Sequence, residues 1–589
     1  MRLTVLEEIP EDLELRDAWN ALALKVDRPQ VFYTFEWSMA AQRAYRTTLH
    51  PLVFLAFDSA GSLCGVAPLA IDEHGTQASF LCATTADYCD LLSLPDNKSD
   101  FVAAVMRELR QRAICNVTLT NLPAESTTVT ALREASALHG YHIFARTAYI
   151  CAQVTLCKLG RRAGDNKLAL PGKKNLRRAL AAMSRQGPVR LDHARTWDGA
   201  GPLLPEFVLA HVARFLATGR VSNLAQPERQ RFLEQLAILL SQSGWLLLTR
   251  LMAGDTALAW NYGFQFQDTW FWYQPTFDND WERHSPGFCL LTKVIEEAAD
   301  SDEVRVVDLG LGAEEYKDRF ANSSRETLYV TLRSSAARHF KEILRYRASG
   351  IVKSFPALEA GIRKVLESRL EFRKLLRRKG VTSTIGRALR VAAASVWSKN
   401  KFLLFEWTGP SLTESGGERL SVLNWRLLAA ATLQNVNDAT SVAYLLRSAA
   451  RLREKKFEGF VLTDPNGLLR NFAWAADFEV AALNQLNAKI SAPSSDCVLL
   501  FDWYSPTATG DGATLARLMA SVAERLSSSG KKTWAFAAAD DIALIQCLTD
   551  AGFQRRYSAM RRRILGRAWV DLETPDKEAP ESAGVASGV

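Results

Sequence analysis

The stretch SPGFCLLTKVIEEAADSDEVRVVDLG, Ser285 to Gly310, decides the fold. Its first half sets apolar residues three and four apart behind Ser, Pro and Gly. That pattern predicts a helix with Ser285 as N-cap and Pro286 in the first turn. Its second half, VRVVDLG, predicts a short buried strand ending at Asp308 and two glycines. Upstream, WLLLTRLMAGDTALAWNYGFQF (245–266) reads as two strands joined by AGDT, followed by the strand WFWYQPTF (270–277).

The same grammar occurs twice more. LVFLAFDSAGSLCGVAPLAI (52–71) turns at DSAGS, and FEGFVLTDPNGLLRNFAWAA (457–476) turns at DPNG. Each hairpin is followed by a strand, a helix opened by small residues, another strand and a second helix. The third copy continues as VLLFDWYSPTATGDGATLARLMASVAERLSSSGKKTWAFAAADD (498–541), the first, more weakly, as DYCDLLSLPDNKSDFVAAVMRELRQRAICNVTLTNL (87–122). Repeats at domain-sized spacing mean copies of one fold. The fold class is therefore α/β (α+β), with three mixed-sheet domains. A chain of 589 residues, 48% hydrophobic, is too long for one core and too apolar for disorder.

The expected boundaries are a first lobe at 1–153, a second at 154–335, a basic helical connector at 336–400, a third domain at 401–570 and a disordered tail at 571–589. Helices are expected at 171–186, 203–218 and 227–243 inside the second lobe. The amino terminus MRLTVLEEIPEDLELRDAW carries acids where a secretory signal needs an apolar stretch, so a cytoplasmic location is expected. The nine cysteines form no CxxC pair and sit in apolar runs, which reads as buried reduced thiols. The last of eight histidines is His339, so the remainder of the chain has no imidazole for most zinc chemistry, and no metal site is expected.

Charge is uneven. Residues 336–400 hold 16 Lys/Arg against four Glu, whereas the whole chain is only +8. AARHFKEILRYRA and LEAGIRKVLESRLEFRKLLRRKG carry apolar residues three and four apart with basic residues between them. Such a face suits an anionic membrane surface, RNA or a polyanionic substrate, or serves as a solvated connector. No aromatic residues interleave for base stacking, so no specific nucleic acid is expected.

Two helix mouths can receive an anion. Gly510 and Gly512 precede a helix expected near Ala513, and Ser285, Pro286 and Gly287 occupy the equivalent place in the second copy. Unpaired N–H groups and the helix dipole favour a pyrophosphate there, and glycine permits close approach. A simply capped helix has the same sequence.

TGDGATLARLMA, leading through KTWAFAAADDIALIQCLTDAGFQRRYSAMRRR, resembles the N-acetyltransferase superfamily abbreviated GNAT. Thr507 stands where the loop of that superfamily carries Gln or Arg, which puts binding of coenzyme A by this copy in question. Residues 1–335 are similar to tandem GNAT proteins described as CelD-like or FemAB-like acyltransferases. The likeness rests on TFEW (34–37), DYCDLL (87–92), PGKKNLRRAL (171–180), WFWYQPTFDNDWERHSPG (270–287) and DLGLGAEEYKDRF (308–320), with Leu311 where relatives carry Arg.

The resemblance implies a cytoplasmic enzyme moving an acyl group from acetyl-CoA or another acyl-CoA to an amine or hydroxyl, on a small molecule or a glycan precursor, within polysaccharide or envelope synthesis. It implies that Ser285, Pro286, Gly287 and Phe288, with Gly510 and Gly512, bind the cofactor. Lys173, Lys174, Arg177, Tyr273 and Asp278 would meet the acceptor. Asp308 would serve as base, Tyr316 as proton donor and Lys317 as an anion holder, all within one constellation. The same residues also read as a turn cap and a surface charge, KKNLRR as a charged helix face, and WFWYQPTF as a core strand. Two alternatives stay open: a FemAB-type transferase drawing on aminoacyl-tRNA, and a non-catalytic scaffold in an exopolysaccharide assembly. The oligomeric state is not legible.

Overall fold

The computed structural model describes residues 1–160, 170, 173–312, 314–353, 397–409, 418–486, 489–505, 512–564 and 567–573. The chain divides into two units, Met1–Phe215 with Val221–Pro356, and Leu216–Arg220 with Ala357–Val589. Each is built on its own sheet.

The first unit holds β1 (Arg2–Leu6), β2 (His50–Phe57), β3 (Leu63–Ile71), β4 (Gln77–Phe80), β5 (Leu92–Ser93), β6 (Asn116–Pro123), β7 (His142–Thr155), β8 (Val189–Ala194), β9 (Leu246–Ala253), β10 (Thr256–Phe266), β11 (Thr269–Phe277), β12 (Val306–Asp308) and β13 (Ser323–Arg333). These thirteen strands form one sheet in the order β1-β2-β3-β4-β6-β13-β7-β12-β11-β10-β9-β8, with β5 beside β3. The hairpins expected at 52–71 and 245–266 are β2–β3 and β9–β10.

The two lobes exchange their last strands. β7 closes the first repeat in sequence but pairs with β12 of the second; β13 closes the second but pairs with β6 of the first. β7 and β13 also pair with each other, from Arg333↔His142 to Ser323↔Gln153. The expected join at 153/154 therefore falls inside β7. Hydrogen bonds of one continuous sheet hold the lobes together, and the core of each depends on a strand of the other.

The second unit holds β14 (Trp397–Trp407), β15 (Arg419–Val422), β16 (Glu458–Thr463), β17 (Leu469–Asp477), β18 (Cys497–Tyr504), β19 (Lys532–Ala538), β20 (Phe553–Ile564) and β21 (Arg567–Glu573). Its order is β15-β16-β17-β18-β19-β14-β20-β21, of which all but the edge strand β21 repeat the second lobe's β8-β9-β10-β11-β12-β7-β13 strand for strand. Both have a parallel pair in the same place, β11 with β12 and β18 with β19. Both insert two long helices after their first strand, Leu204–Ala217 and Pro227–Gln242 in one, preceded by the single turn Trp197–Ala200, and Trp425–Asn435 and Ala439–Arg453 in the other. The third hairpin expected from sequence is β16–β17.

The helix expected after Ser285 runs Pro286–Asp300 and buries Cys289, Leu290, Leu291, Val294, Ile295 and Ala298 against Trp270, Trp272 and Val307. Each large aliphatic side chain so buried contributes about 1.5–3 kcal/mol. On the opposite face of the sheet Phe271 and Tyr273 meet Phe32 and Trp37 of the first lobe, at ring separations of 5.4 Å for Phe32–Phe271 and 5.4 Å for Trp37–Tyr273. Trp37, from TFEW, lies on the helix Phe35–Ala44 and is fully buried; the buried Glu36 beside it accepts from Asn20 and from the Ser243 hydroxyl at 2.7 Å.

All nine cysteines are free, and only Cys115 and Cys157 reach the surface. Among the described residues one helical stretch, Trp197–Ala217, is long and apolar enough to cross a membrane; its Phe207, Val208 and Val212 are buried in the fold. Of the basic segment, the helix Ala336–Lys353 is described; 354–396, Thr507, Gly510 and the residues after Glu573 lie outside the described residues.

Candidate active site of the second lobe

Adjacent parallel strands β11 and β12 pair over three residues, Thr269↔Val306, Trp270↔Val307 and Phe271↔Asp308. Past that point they part, because β12 ends while β11 continues to Phe277. The first lobe has the same parting beyond Ser79↔Thr118 of β4 and β6, but its own chain fills it: Cys89 N–H donates to the Asn121 carbonyl at 2.9 Å and Asn121 Nδ2 to that of Ala86 at 2.8 Å. The segment that plugs the first lobe also reaches the second, placing Asp87 against the loop after β12 and Tyr88 against Asp308.

Asp87 lies against the loop after β12. A first side-chain carbon at Gly310 would stand 2.5 Å from Asp87 Oδ2, and the Leu311 amide donates to the Asp87 carboxylate. Burial, then the neighbouring Asp308, pushes the Asp87 carboxyl up to about 7, against the pull of Lys317 and Arg229. A carboxyl titrating near neutrality at a sheet opening is suited to taking a proton from an amine.

Asp308 has a different place. It is buried and accepts from Tyr88 Oη at 2.9 Å, Gln153 Nε2 at 2.8 Å and the Gly310 amide at 2.8 Å. These bonds engage the carboxylate inside the protein and fix the Asp308–Gly310 turn. Tyr316, in the one-turn helix Glu315–Asp318, lies across the sheet: its hydroxyl accepts from Trp272 Nε1 at 3.4 Å, and its ring packs against the core under the helix Pro286–Asp300. Alternation places Val307 and Trp272 on that side and Asp308 with Phe271 on the other. The expected single constellation of Asp308 and Tyr316 is therefore not formed; the two residues flank the sheet.

Lys317 is buried, not a surface charge. Its Nζ donates to the Leu311 carbonyl at 2.7 Å and pairs with Glu314 at 2.7 Å. Glu314 folds over Gly312, whose φ of +110° suits glycine. The loop DLGLGAEEYK is thus tied at both ends, and Lys317 helps to set the potential at Asp87.

At the helix mouth Ser285 adopts a left-handed conformation, φ 50°, and makes no side-chain cap bond, while its carbonyl accepts from the Cys289 amide at 3.1 Å. The first-turn amides of Gly287 and Phe288 suit an anionic oxygen, and Ser285 is exposed. A side chain begun at Gly287 would stand 3.3 Å from the Phe277 ring, so packing on that side is tight. Phe288 is half buried against Phe320, ring centroids 4.8 Å apart. Pro286 is buried in the first turn.

The proposed acceptor contacts divide. Tyr273 is buried, and its hydroxyl donates to the Thr85 carbonyl and accepts from Arg229 at 2.7 Å, so it joins the lobes and offers no sugar platform. Asp278 caps the short helix Asn279–His284 by accepting from the Asp280 amide at 3.0 Å. Arg177 is exposed on the helix Lys173–Met183; the side chains of Lys173 and Lys174 lie outside the described residues. In the second unit Gly512 opens the helix Gly512–Ser527, and its carbonyl accepts from the Cys547 thiol at 3.5 Å.

The sequence between Gly172 and Asp318, which contains this parting, the helix after it and the DLGLGAEEYK loop, matches a known family, the Acetyltransferase (GNAT) domain. This segment of the second lobe is similar to GNAT acetyltransferase domains. The lobe's strand order recurs in the second unit, so the chain is built of tandem GNAT-like domains. No curated protein matches the sequence.

Solved structures similar to the chain include the carboxy-terminal domain of a putative lysylphosphatidylglycerol synthetase from Agrobacterium fabrum, 12% identical over 58% of this chain and 96% of that one, TM-score 0.36. A conserved protein of unknown function from Bacteroides thetaiotaomicron is 12% identical over 56% and 100%, TM-score 0.40. A tandem GNAT protein from the clavulanic acid pathway is 14% identical over 57% and 99%, TM-score 0.32.

The residue that sequence reasoning missed is Asp87. It lies in DYCDLL, where nothing local distinguishes it from Asp90. Asp90 is structural: it accepts from the hydroxyls of Ser126 and Thr128, each at 2.6 Å.

Proposed function

We propose that the second lobe transfers an acyl group from a coenzyme A thioester to an amine or hydroxyl, with Asp87 of the first lobe as the base. The observation that supports this most is the Asp87 carboxyl, raised to about 7 and set at the parting of β11 and β12 in a segment similar to GNAT acetyltransferase domains. The cofactor supplies the activated acyl carbonyl; the amides of Gly287 and Phe288 at the mouth of the helix Pro286–Asp300 would hold its phosphates.

Asp87 takes the proton lost by the acceptor nitrogen or oxygen as its bond to the acyl carbon forms. Tyr316, on the other side of the sheet, returns a proton to the sulfur released, and burial, which holds its hydroxyl protonated, keeps it a donor at neutral pH. Asp308 and Lys317 act through position, Asp308 by fixing Tyr88 and the Gly310 turn, Lys317 by holding the loop and balancing the two carboxyls. The acceptor is a small molecule or glycan precursor, and the setting a cytoplasmic one in polysaccharide or envelope synthesis.

Calorimetry of the full chain with acetyl-CoA and longer acyl-CoAs tests this reading. Binding is expected, and Ser285→Asp, which puts a negative charge on an exposed left-handed residue that Asp tolerates, weakens it at least tenfold without lowering helix stability. No binding of any thioester by the folded protein would refute the proposal.

A further inference from the structure

The helix Ala336–Lys353 presents one face to the sheet and another to solvent. Its inner face is settled by contacts: His339 stacks on His142 with centroids 5.5 Å apart, Glu342 pairs with Arg333 at 3.0 Å, and the Tyr346 ring meets Phe144 at 5.4 Å. The outer face carries Phe340, 68% exposed, and Leu344, 58% exposed, one turn apart. Soluble surfaces rarely set two such side chains side by side without a use for them.

Cations flank this pair. Arg338, Lys341, Arg345 and Arg347 are exposed on the same helix, and Glu342, its one acid, is already engaged. Arg338, Lys341 and Arg345 have no ion-pair partner among the described residues. They line one side of an open cleft of about 530 Å³, whose other walls are Gln77 and Asn116 at the ends of β4 and β6 and the Arg333–Glu342 pair. An apolar ridge bordered by unpaired cations, with polar side chains behind them, complements an interface in which phosphates stand above hydrocarbon.

We propose that this face binds the surface of an anionic phospholipid bilayer, Phe340 and Leu344 entering the headgroup boundary while Arg338, Lys341 and Arg345 receive lipid phosphates in the cleft. Nucleic acid would satisfy the cations and leave Phe340 and Leu344 in water, so the apolar pair favours lipid. Each basic residue near an anionic leaflet strengthens association about fivefold, and each apolar side chain that enters it about tenfold.

The test is co-sedimentation of the full chain with vesicles of phosphatidylcholine alone or mixed with phosphatidylglycerol. Binding to the mixed vesicles is expected, with little to phosphatidylcholine. Phe340→Ser with Leu344→Ser should weaken it about 100-fold, as should Arg338→Gln, Lys341→Gln and Arg345→Gln together. Circular dichroism of both variants should be unchanged, since every substituted side chain is exposed. The proposal is overturned if mixed vesicles are not bound, if the folded variants bind as the parent does, or if neutral vesicles bind equally. It is also overturned if the Phe340/Leu344 variant instead abolishes a dimer seen without vesicles, or if RNA is bound and lipid is not.

Discussion

Gly310 and Asp87 fit against each other so closely that a methyl group at 310 would lie 2.5 Å from Asp87 Oδ2, on a backbone with φ +70°. Gly310→Ala is therefore expected to displace Asp87 and to strain the turn, at a cost of about 1–3 kcal/mol. Thermal unfolding and turnover should both report it, with turnover falling further, because Asp87 moves whether or not the turn relaxes. A variant of parental activity would show that Asp87 does not need its present seat.

Asp308 answers to stability. Asp308→Ala leaves the Tyr88 hydroxyl, Gln153 amide and Gly310 amide without their acceptor, about 1–3 kcal/mol for each buried group that stays unsatisfied. Denaturant unfolding should show a loss of several kcal/mol, with activity lost in parallel as the fold weakens. Full stability with selective loss of turnover would return Asp308 to the role of base.

His211 makes stability depend on pH. Its ring nitrogen meets the Ser222 hydroxyl at 2.8 Å inside the core, and burial pulls its pKa down to about 3 from 6.5. The unfolded chain gains a proton on this residue below about pH 6.5 and the folded one does not, so stability is full above that pH and falls as pH drops toward 3. The slope approaches about 1.4 kcal/mol per pH unit. Unfolding at pH 7, 6 and 5 should show it, and His211→Gln should flatten this part of the profile.

Local chemistry carried the fold into the sequence. Ser285, Pro286 and the apolar spacing behind them announce the helix Pro286–Asp300, and the turns at AGDT, DSAGS and DPNG announce three hairpins, because each pattern acts within a few residues. The strand exchange was not legible, since β7 and β13 are ordinary strands whose partners are chosen by distant sheet edges. The site was legible in half. DLGLGAEEYK borders Asp87 through Gly310 and Leu311, yet its sequence points to Asp308 for the chemistry here proposed for Asp87. The 220 positions separating Tyr88 from Asp308 are bridged only by the folded first unit, and the Asp87 pKa rises through the burial of its carboxyl there and then through the neighbouring Asp308. Nearness in sequence groups Tyr316 with Asp308, whereas the two-residue alternation of β12 sends Asp308 to the far face.

Thiol release from acetyl-CoA in the presence of a mixture of amine acceptors, followed from pH 6 to pH 9 for the parent and for Asp87→Asn, tests the central claim most directly. The account predicts a parental rate that rises with pH through a midpoint of about 7, as the carboxyl loses its proton, and a loss of about 100- to 10,000-fold with no such midpoint in the variant. An Asp87→Asn protein that releases thiol at the parental rate, with the same pH dependence, would contradict it.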